Sequence, residues 1–221
     1  MFDFLSEKIV AISILAVPLL LALTCHELAH GLAAYALGDP TAKRAGRLTL
    51  NPLRHLDPLG TLVFFIANIG WAKPVPVDAR YFKNPLKGML LVAMAGPGTN
   101  FLLAALFAAL YHPLLPLALE HETSLLGKVL VPLTLITQAG VFVNLVLGAF
   151  NLLPIPPLDG SNIVAGLLPK RVAYRYLSFG RYGIFVLLAL ILASDLLDMN
   201  LLGKVILPVV EVGAKLLRVP L

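Results

Sequence analysis

The sequence predicts an all-α polytopic membrane protein of about five transmembrane helices, and three observations carry that expectation. Of its 221 residues, 59% are hydrophobic and 13% charged, against roughly 45–50% and about 25% in a typical soluble domain. Mean hydropathy is +0.89, so the chain has too little polar surface to cover itself in water. Its 17 Pro and 17 Gly lie between or inside long apolar runs, which excludes disordered and collagen-like structure.

A bilayer requires about 20 mostly apolar residues per helix, and the elements follow from that length. The first span covers about 9–37 and ends at the breaker Gly38-Asp39-Pro40. It is not read as a signal peptide, because no small-x-small site with a polar region follows. The apolar run 59–71 is too short to cross as a helix. Behind it, Ala72-Lys73-Pro74-Val75-Pro76-Val77 alternates prolines, which forbids helix and suits an extended edge strand. Because lipid does not tolerate unpaired backbone, this stretch is expected to be a short re-entrant β-like hairpin or loop packed on protein. The second span covers about 88–111, ending before Pro113, and the third about 128–151, ending at Pro154-Ile155-Pro156-Pro157. The fourth covers about 182–197. The run 201–219 carries Lys204, Pro208 and Glu211, so it either spans as part of a bundle or lies at the interface. The whole is expected to be a single membrane domain, 1–221.

Net charge is +5, from 17 Lys and Arg against 12 Asp and Glu. The cations sit between the apolar spans, so they report topology and not nucleic-acid binding. They gather in three stretches: Lys43, Arg44, Arg47 and Arg54; Lys73, Arg80, Lys83 and Lys87; Lys170, Arg171, Arg175 and Arg181. The positive-inside rule places all three in the cytoplasm. The 111–127 linker has no Lys or Arg and falls outside, so the N-terminus is outside and Lys215 and Arg218 return to the cytoplasm. Cys25 is the single cysteine, which rules out an internal disulfide.

Within the first span stands His26-Glu27-Leu28-Ala29-His30. Positions i and i+4 lie 40° apart on a helix, so both imidazoles can reach one metal ion with Glu27 beside them. In a soluble helix the same residues can be a solvated face. A glutamate inside a membrane costs roughly 2.5 kcal/mol or more, and ionisable residues there are functional by default. A catalytic zinc takes three protein ligands and keeps an open position for water, which Glu27 would deprotonate. Asp159, after the prolines that break the third span, is the candidate third ligand, although taken alone Pro-Leu-Asp-Gly reads first as a turn. Depth agrees: His26 and His30 lie roughly 10 to 17 Å inside the cytoplasmic end at Leu37, at 1.5 Å per residue. The third span ends on that same side.

His26-Glu27-Leu28-Ala29-His30 with Leu158-Asp159-Gly160 behind a proline-broken helix resembles the site-2 protease family of intramembrane zinc metalloproteases. The resemblance includes Gly96-Pro97-Gly98-Thr99-Asn100, the stretch from Asn51 to Thr61, and Asn151 eight positions before Asp159, and covers about residues 20–165. It implies a three-helix catalytic core within about 9–168, with the C-terminal helices, about 182–219, outside it. It also implies one zinc ion per chain on His26, His30 and Asp159, with Glu27 as general base. Asn151 is implied to position substrate or stabilise the oxyanion, and Asn100 matches another polar core position. An amide in a low-dielectric cleft is a sensible oxyanion donor, and equally an interhelical hydrogen-bonding group.

Other polar residues have plainer readings. His55 and Asp57 belong to a proline-bounded turn and orient the re-entrant segment. His112 and His121 are solvated, and Cys25 points about 100° away from the ligands. Gly96 and Gly98 permit close helix approach. Asp195 and Asp198 read as helix-end residues, and Glu211 with Lys204 as a pair or an interfacial face. Many members of the family carry a PDZ or nucleotide-sensing domain, for which this sequence has no room. Substrate selection is then expected to rest on the membrane core, the re-entrant segment or a regulatory membrane partner.

The expected activity is endopeptidase cleavage within or near transmembrane segments of other membrane proteins. The expected location is a prokaryotic inner membrane, with the site towards the cytoplasm. A zinc transporter using the same ligands is the rival reading, and a non-catalytic scaffold is a second. A transporter needs ligands but no base, which makes Glu27 the discriminating residue.

Overall fold

The computed structural model describes residues 2–60, 70–196 and 199–220, with side chains left aside at 2–9 and 195. Eight α-helices are seen among these residues, besides two short 3-10 turns: α1 (Phe2–Ala36), α2 (Thr41–Arg44), α3 (Pro85–Glu120), α4 (Gly127–Asn151), α5 (Asp159–Leu167), α6 (Lys170–Ser178), α7 (Gly180–Leu196) and α8 (Leu201–Leu217). None of the described residues forms a strand. Three helices are long and apolar enough to cross a membrane: Val10–Ala36 of α1, α3 and α4. The α6–α7 pair, bent by 57°, would make a fourth. The 17-residue α8 is shorter than those three and packs along α4.

The first and third spans fall where the sequence puts them, and α1 stops where Gly38 takes φ +100°, a left-handed value open to glycine at a helix C-terminus. The second differs. Its helix continues through Pro97, Pro113 and Pro116 to Glu120, well past the stop expected before Pro113. Each proline removes one intrahelical hydrogen bond. The Leu- and Ala-rich sequence around them nevertheless favours helix, the conformation that satisfies the remaining backbone in an apolar medium. At 36 residues α3 is about 54 Å long, well beyond the roughly 30 Å hydrocarbon layer.

α1, α3 and α4 pack against one another, and α5 folds back onto α3. Along α3 the exposed Leu102, Leu106 and Leu110 recur every fourth residue, while Asn100, Ala104, Phe107 and Tyr111 are buried. The apolar face therefore points outward and the polar residues inward, as lipid solvent demands. Residues 61–69 of the expected hairpin lie outside the described residues. The following stretch, 71–78, is neither helix nor strand; among the described residues its one bridge is the isolated antiparallel pair Leu56 with Ala72.

Candidate metal centre

His26 and His30 lie one helical turn apart on α1, and both are buried. The His30 Nδ1 is 2.7 Å from the Val92 carbonyl of α3, which can only accept, so the proton sits on Nδ1. The His26 Nδ1 is 2.7 Å from Asn100 Oδ1. That amide is oriented by its neighbours: Asn100 Nδ2 donates to Asn144 Oδ1 at 3.0 Å. Asn144 Nδ2 in turn donates to the Gly140 carbonyl at 2.8 Å. A chain of amides running from α4 through α3 thus fixes the tautomer of an imidazole on α1. Both Nε2 atoms are left bare and face each other at 2.9 Å.

Asp159 completes the cluster from the first position of α5. Its Oδ2 stands 3.1 Å from His26 Nε2 and 3.2 Å from His30 Nε2, yet it is buried without a hydrogen-bond partner. Two imidazole lone pairs and a carboxylate oxygen converge with no proton among them, an arrangement that repels itself unless a cation sits between. Tetrahedral zinc with bonds of about 2.0–2.1 Å separates its ligand atoms by about 3.3 Å. The three residues fit that ion, and they are the one group of metal-ligating side chains found among the described residues.

Local sequence explains the convergence. The chain leaves α4 through the proline loop 154–157, and Gly160 then passes so close to the end of α4 that a Cβ would lie 2.2 Å from the Leu152 carbonyl oxygen. Tyr176 of α6 donates to the Pro154 carbonyl at 2.6 Å and braces the loop. Gly96 of α3 leaves space for the imidazoles, since a Cβ there would lie 2.5 Å from His30 Nε2 and 2.6 Å from His26 Cε1. Gly98, expected to do the same, meets nothing within 4 Å and faces outward.

Glu27, partly buried, accepts a hydrogen bond on Oε2 from the Val75 N–H at 2.8 Å; Oε1 makes none among the described residues. The 71–78 stretch therefore lies across the base. Asn100 is fully buried with both amide groups engaged inside the protein, so it orients His26 and offers no donor to a substrate. Asn151 turns its Nδ2 back to the Leu147 carbonyl of its own helix at 3.0 Å. His55 is buried, with Nε2 2.9 Å from the Thr49 carbonyl, and Asp57 Oδ1 accepts from the Gly60 N–H; both hold the turn, as expected. His112 is 2.9 Å from the Leu217 carbonyl and ties α3 to α8. Sequence reasoning missed Asn144, whose signal was an amide in the middle of an apolar span. The Val92 and Val75 backbone contacts had no sequence signal at all.

Residues 14–194 match the model of Peptidase family M50. The chain is 43% identical over 176 residues to "Putative zinc metalloprotease YwhC" of Bacillus subtilis (strain 168), covering 80% of this chain and 78% of that protein. It is 31% identical over 185 residues to "Putative zinc metalloprotease Rip2" of Mycobacterium tuberculosis (strain ATCC 25618 / H37Rv), covering 80% and 66%. For "Putative zinc metalloprotease Rip3" of the same strain the identity is 34% over 158 residues, covering 71% and 31%. No solved structure matches the chain.

Proposed function

We propose, from the premise that this chain belongs to peptidase family M50, the site-2 proteases, that it is a zinc-dependent endopeptidase cleaving within or near transmembrane segments of membrane proteins. The observation that supports this best is the convergence of the two Nε2 atoms and the orphaned Asp159 oxygen beside Glu27. His26, His30 and Asp159 would hold one zinc ion, which supplies a Lewis acid for the scissile carbonyl and acidifies water at neutral pH.

Glu27 takes the proton of the attacking water on the free Oε1 and passes it to the leaving amine, while Oε2 stays anchored on Val75. Asn151, whose Nδ2 donates to the Leu147 carbonyl of its own helix, would have to give up that bond to serve a substrate oxyanion. Hydrolysis in lipid requires a hydrated path. The cationic stretches support a cytoplasmic side for that path and for the site, and the membrane we propose is a prokaryotic inner membrane. A substrate helix must unwind to present a peptide bond, and pairing with the 71–78 stretch would satisfy its freed backbone. The Val77 N–H, which has no partner among the described residues, is one donor available for this. Val77→Pro is then expected to raise KM for a transmembrane-segment substrate; unchanged cleavage would remove this pairing from the account.

A zinc transporter built on the same ligands is the alternative. Proteoliposomes separate the two readings. The protease cleaves a co-reconstituted transmembrane substrate, is stopped by a zinc chelator and by Glu27→Gln, and moves no zinc. A transporter moves zinc and is indifferent to Glu27→Gln, because that change spares the ligands.

A further inference from the structure

Arg47 is 6% exposed, and no carboxylate lies within ion-pair distance of it among the described residues. A buried guanidinium without a counter-charge is costly unless its donors are taken up. Here the two Nη groups are taken up by one short piece of chain, Nη2 donating to the Lys73 carbonyl at 2.6 Å and Nη1 to the Pro74 carbonyl at 3.2 Å, while Nε is buried without a partner. His55 backs the arrangement, its Nδ1 3.5 Å from Nη2 and its carbonyl accepting from the Lys73 N–H at 2.8 Å.

The Pro74 carbonyl and the Val75 N–H are the two ends of a single peptide group. Arg47 holds the oxygen end, and the hydrogen end is the donor on Glu27 Oε2. A peptide group is planar and does not flex about its C–N bond, so fixing its oxygen aims its N–H. A cation on the carbonyl also polarises the group and strengthens the bond its N–H donates to a carboxylate. Both neighbours of Val75 are prolines, which narrows the backbone around this peptide further.

We propose that Arg47 is a positioning residue for Glu27, acting through the Pro74–Val75 peptide: it orients the base carboxylate so that Oε1 is presented to the reacting water. The catalytic part of this rests on the proteolytic reading above; the mechanical part does not. Arg47 does not touch the metal ligands, and within the 71–78 stretch it holds the Lys73 and Pro74 carbonyls and not the Val77 N–H assigned above to the substrate. Its loss therefore acts on turnover and spares zinc content and KM.

The test combines hydrogen exchange with kinetics. Between Pro74 and Pro76 the Val75 amide is the single exchangeable backbone group. In the purified full-length protein it is expected to be protected, and Arg47→Gln is expected to lower that protection at least about tenfold. In a cleavage assay Arg47→Gln lowers kcat about 10- to 100-fold with zinc content and KM unchanged, and Arg47→Lys restores part of it. Val75→Pro, which deletes the N–H and leaves Arg47 in place, gives a kcat loss of similar size. The double variant is no worse than either single one, because both act on one bond. If Arg47→Gln does not fold, Arg47→Lys against Val75→Pro carries the same cycle. Unchanged protection of the Val75 amide, losses that multiply in the double variant, or a defect confined to KM or zinc would each overturn the proposal. A wild type that cleaves nothing counts against the proteolytic reading, and exchange alone then decides on Arg47.

Discussion

Gly96 has no side chain because two imidazoles occupy the place where one would be. A Cβ there would sit 2.5 Å from His30 and 2.6 Å from His26, and neither ring can retreat, since each is fixed through Nδ1. Gly96→Ala is expected to lower bound zinc at least about tenfold in a protein that still folds, whereas Gly98→Ala, facing open space, leaves zinc unchanged. Metal analysis of the two purified variants checks both. Asn144→Leu removes the acceptor that orients Asn100 and with it the grip on the His26 tautomer. Partners of metal ligands are worth about 10- to 100-fold in affinity, so competition with a zinc chelator should show a loss in that range; undiminished affinity would mean that His26 needs no such chain. At this scale His26 and His30 were legible from helical period and the cost of charge in lipid, whereas Asp159 was implied by the family resemblance, its own surroundings reading as a turn. Asn144 and the clearance at Gly96 were not legible, because they exist only once α3 and α4 are packed on α1.

The loop between α4 and α5 illustrates what an element must do to place one carboxylate. Gly160 lies 2.2 Å, by its absent Cβ, from the Leu152 carbonyl oxygen and 2.4 Å from that of Leu153. Backbone cannot give way as a side chain does, so Gly160→Ala is expected to displace Asp159 and abolish both zinc binding and cleavage; a variant retaining full zinc would show that the approach of α5 is dispensable. The 71–78 stretch has its own fastening, independent of the metal. Asp39, fully buried after α1, accepts hydrogen bonds from the Thr41 N–H and hydroxyl and from the Asp78 N–H. Burial pushes its carboxyl up, but the hydrogen bonds from Thr41 and Asp78 outweigh that and hold it below the ordinary carboxylate range. A lowered folded-state value stabilises above the unfolded pKa of about 3.9. That stabilisation is lost as pH falls through the lowered value. Thermal unfolding is therefore expected to separate wild type from Asp39→Ala most at neutral pH and to bring them together in acid. The proline-broken loop was readable from the sequence, as was the absence of helix from 71–78. The course of α3 was not, because a proline is a breaker in water, where the freed carbonyl and the next turn have other partners, and a smaller perturbation in a long apolar helix.

For the whole molecule the sequence and the structure agree on a chain with an apolar exterior, an apolar core and a polar cluster set inside it. Polar His26, His30, Asn100 and Asn144 are buried together, and leucines such as Leu102, Leu106 and Leu110 cover the outside. The orientation we propose rests on charge: the three cationic stretches leave the 111–127 linker as the end without Lys or Arg. With Cys25 replaced by serine, a cysteine at Glu122 should react with a membrane-impermeant reagent from outside intact cells, and one at Lys170 only after the cells are opened; the reverse pattern would invert the topology and put the site at the opposite face. Composition made the membrane class plain, but the number of crossings depends on how α6, α7 and α8 lie. All three are short, at 9, 17 and 17 residues, and the α6–α7 pair is bent by 57°, a geometry no hydropathy window reports. The central claim is that His26, His30 and Asp159 bind zinc for a reaction in which Glu27 is the base. Its most direct test is zinc content and cleavage measured together on purified wild type and Glu27→Gln. The account requires close to one zinc per chain in both, with cleavage in the wild type alone. Protein without zinc, or equal cleavage by the two, would contradict it.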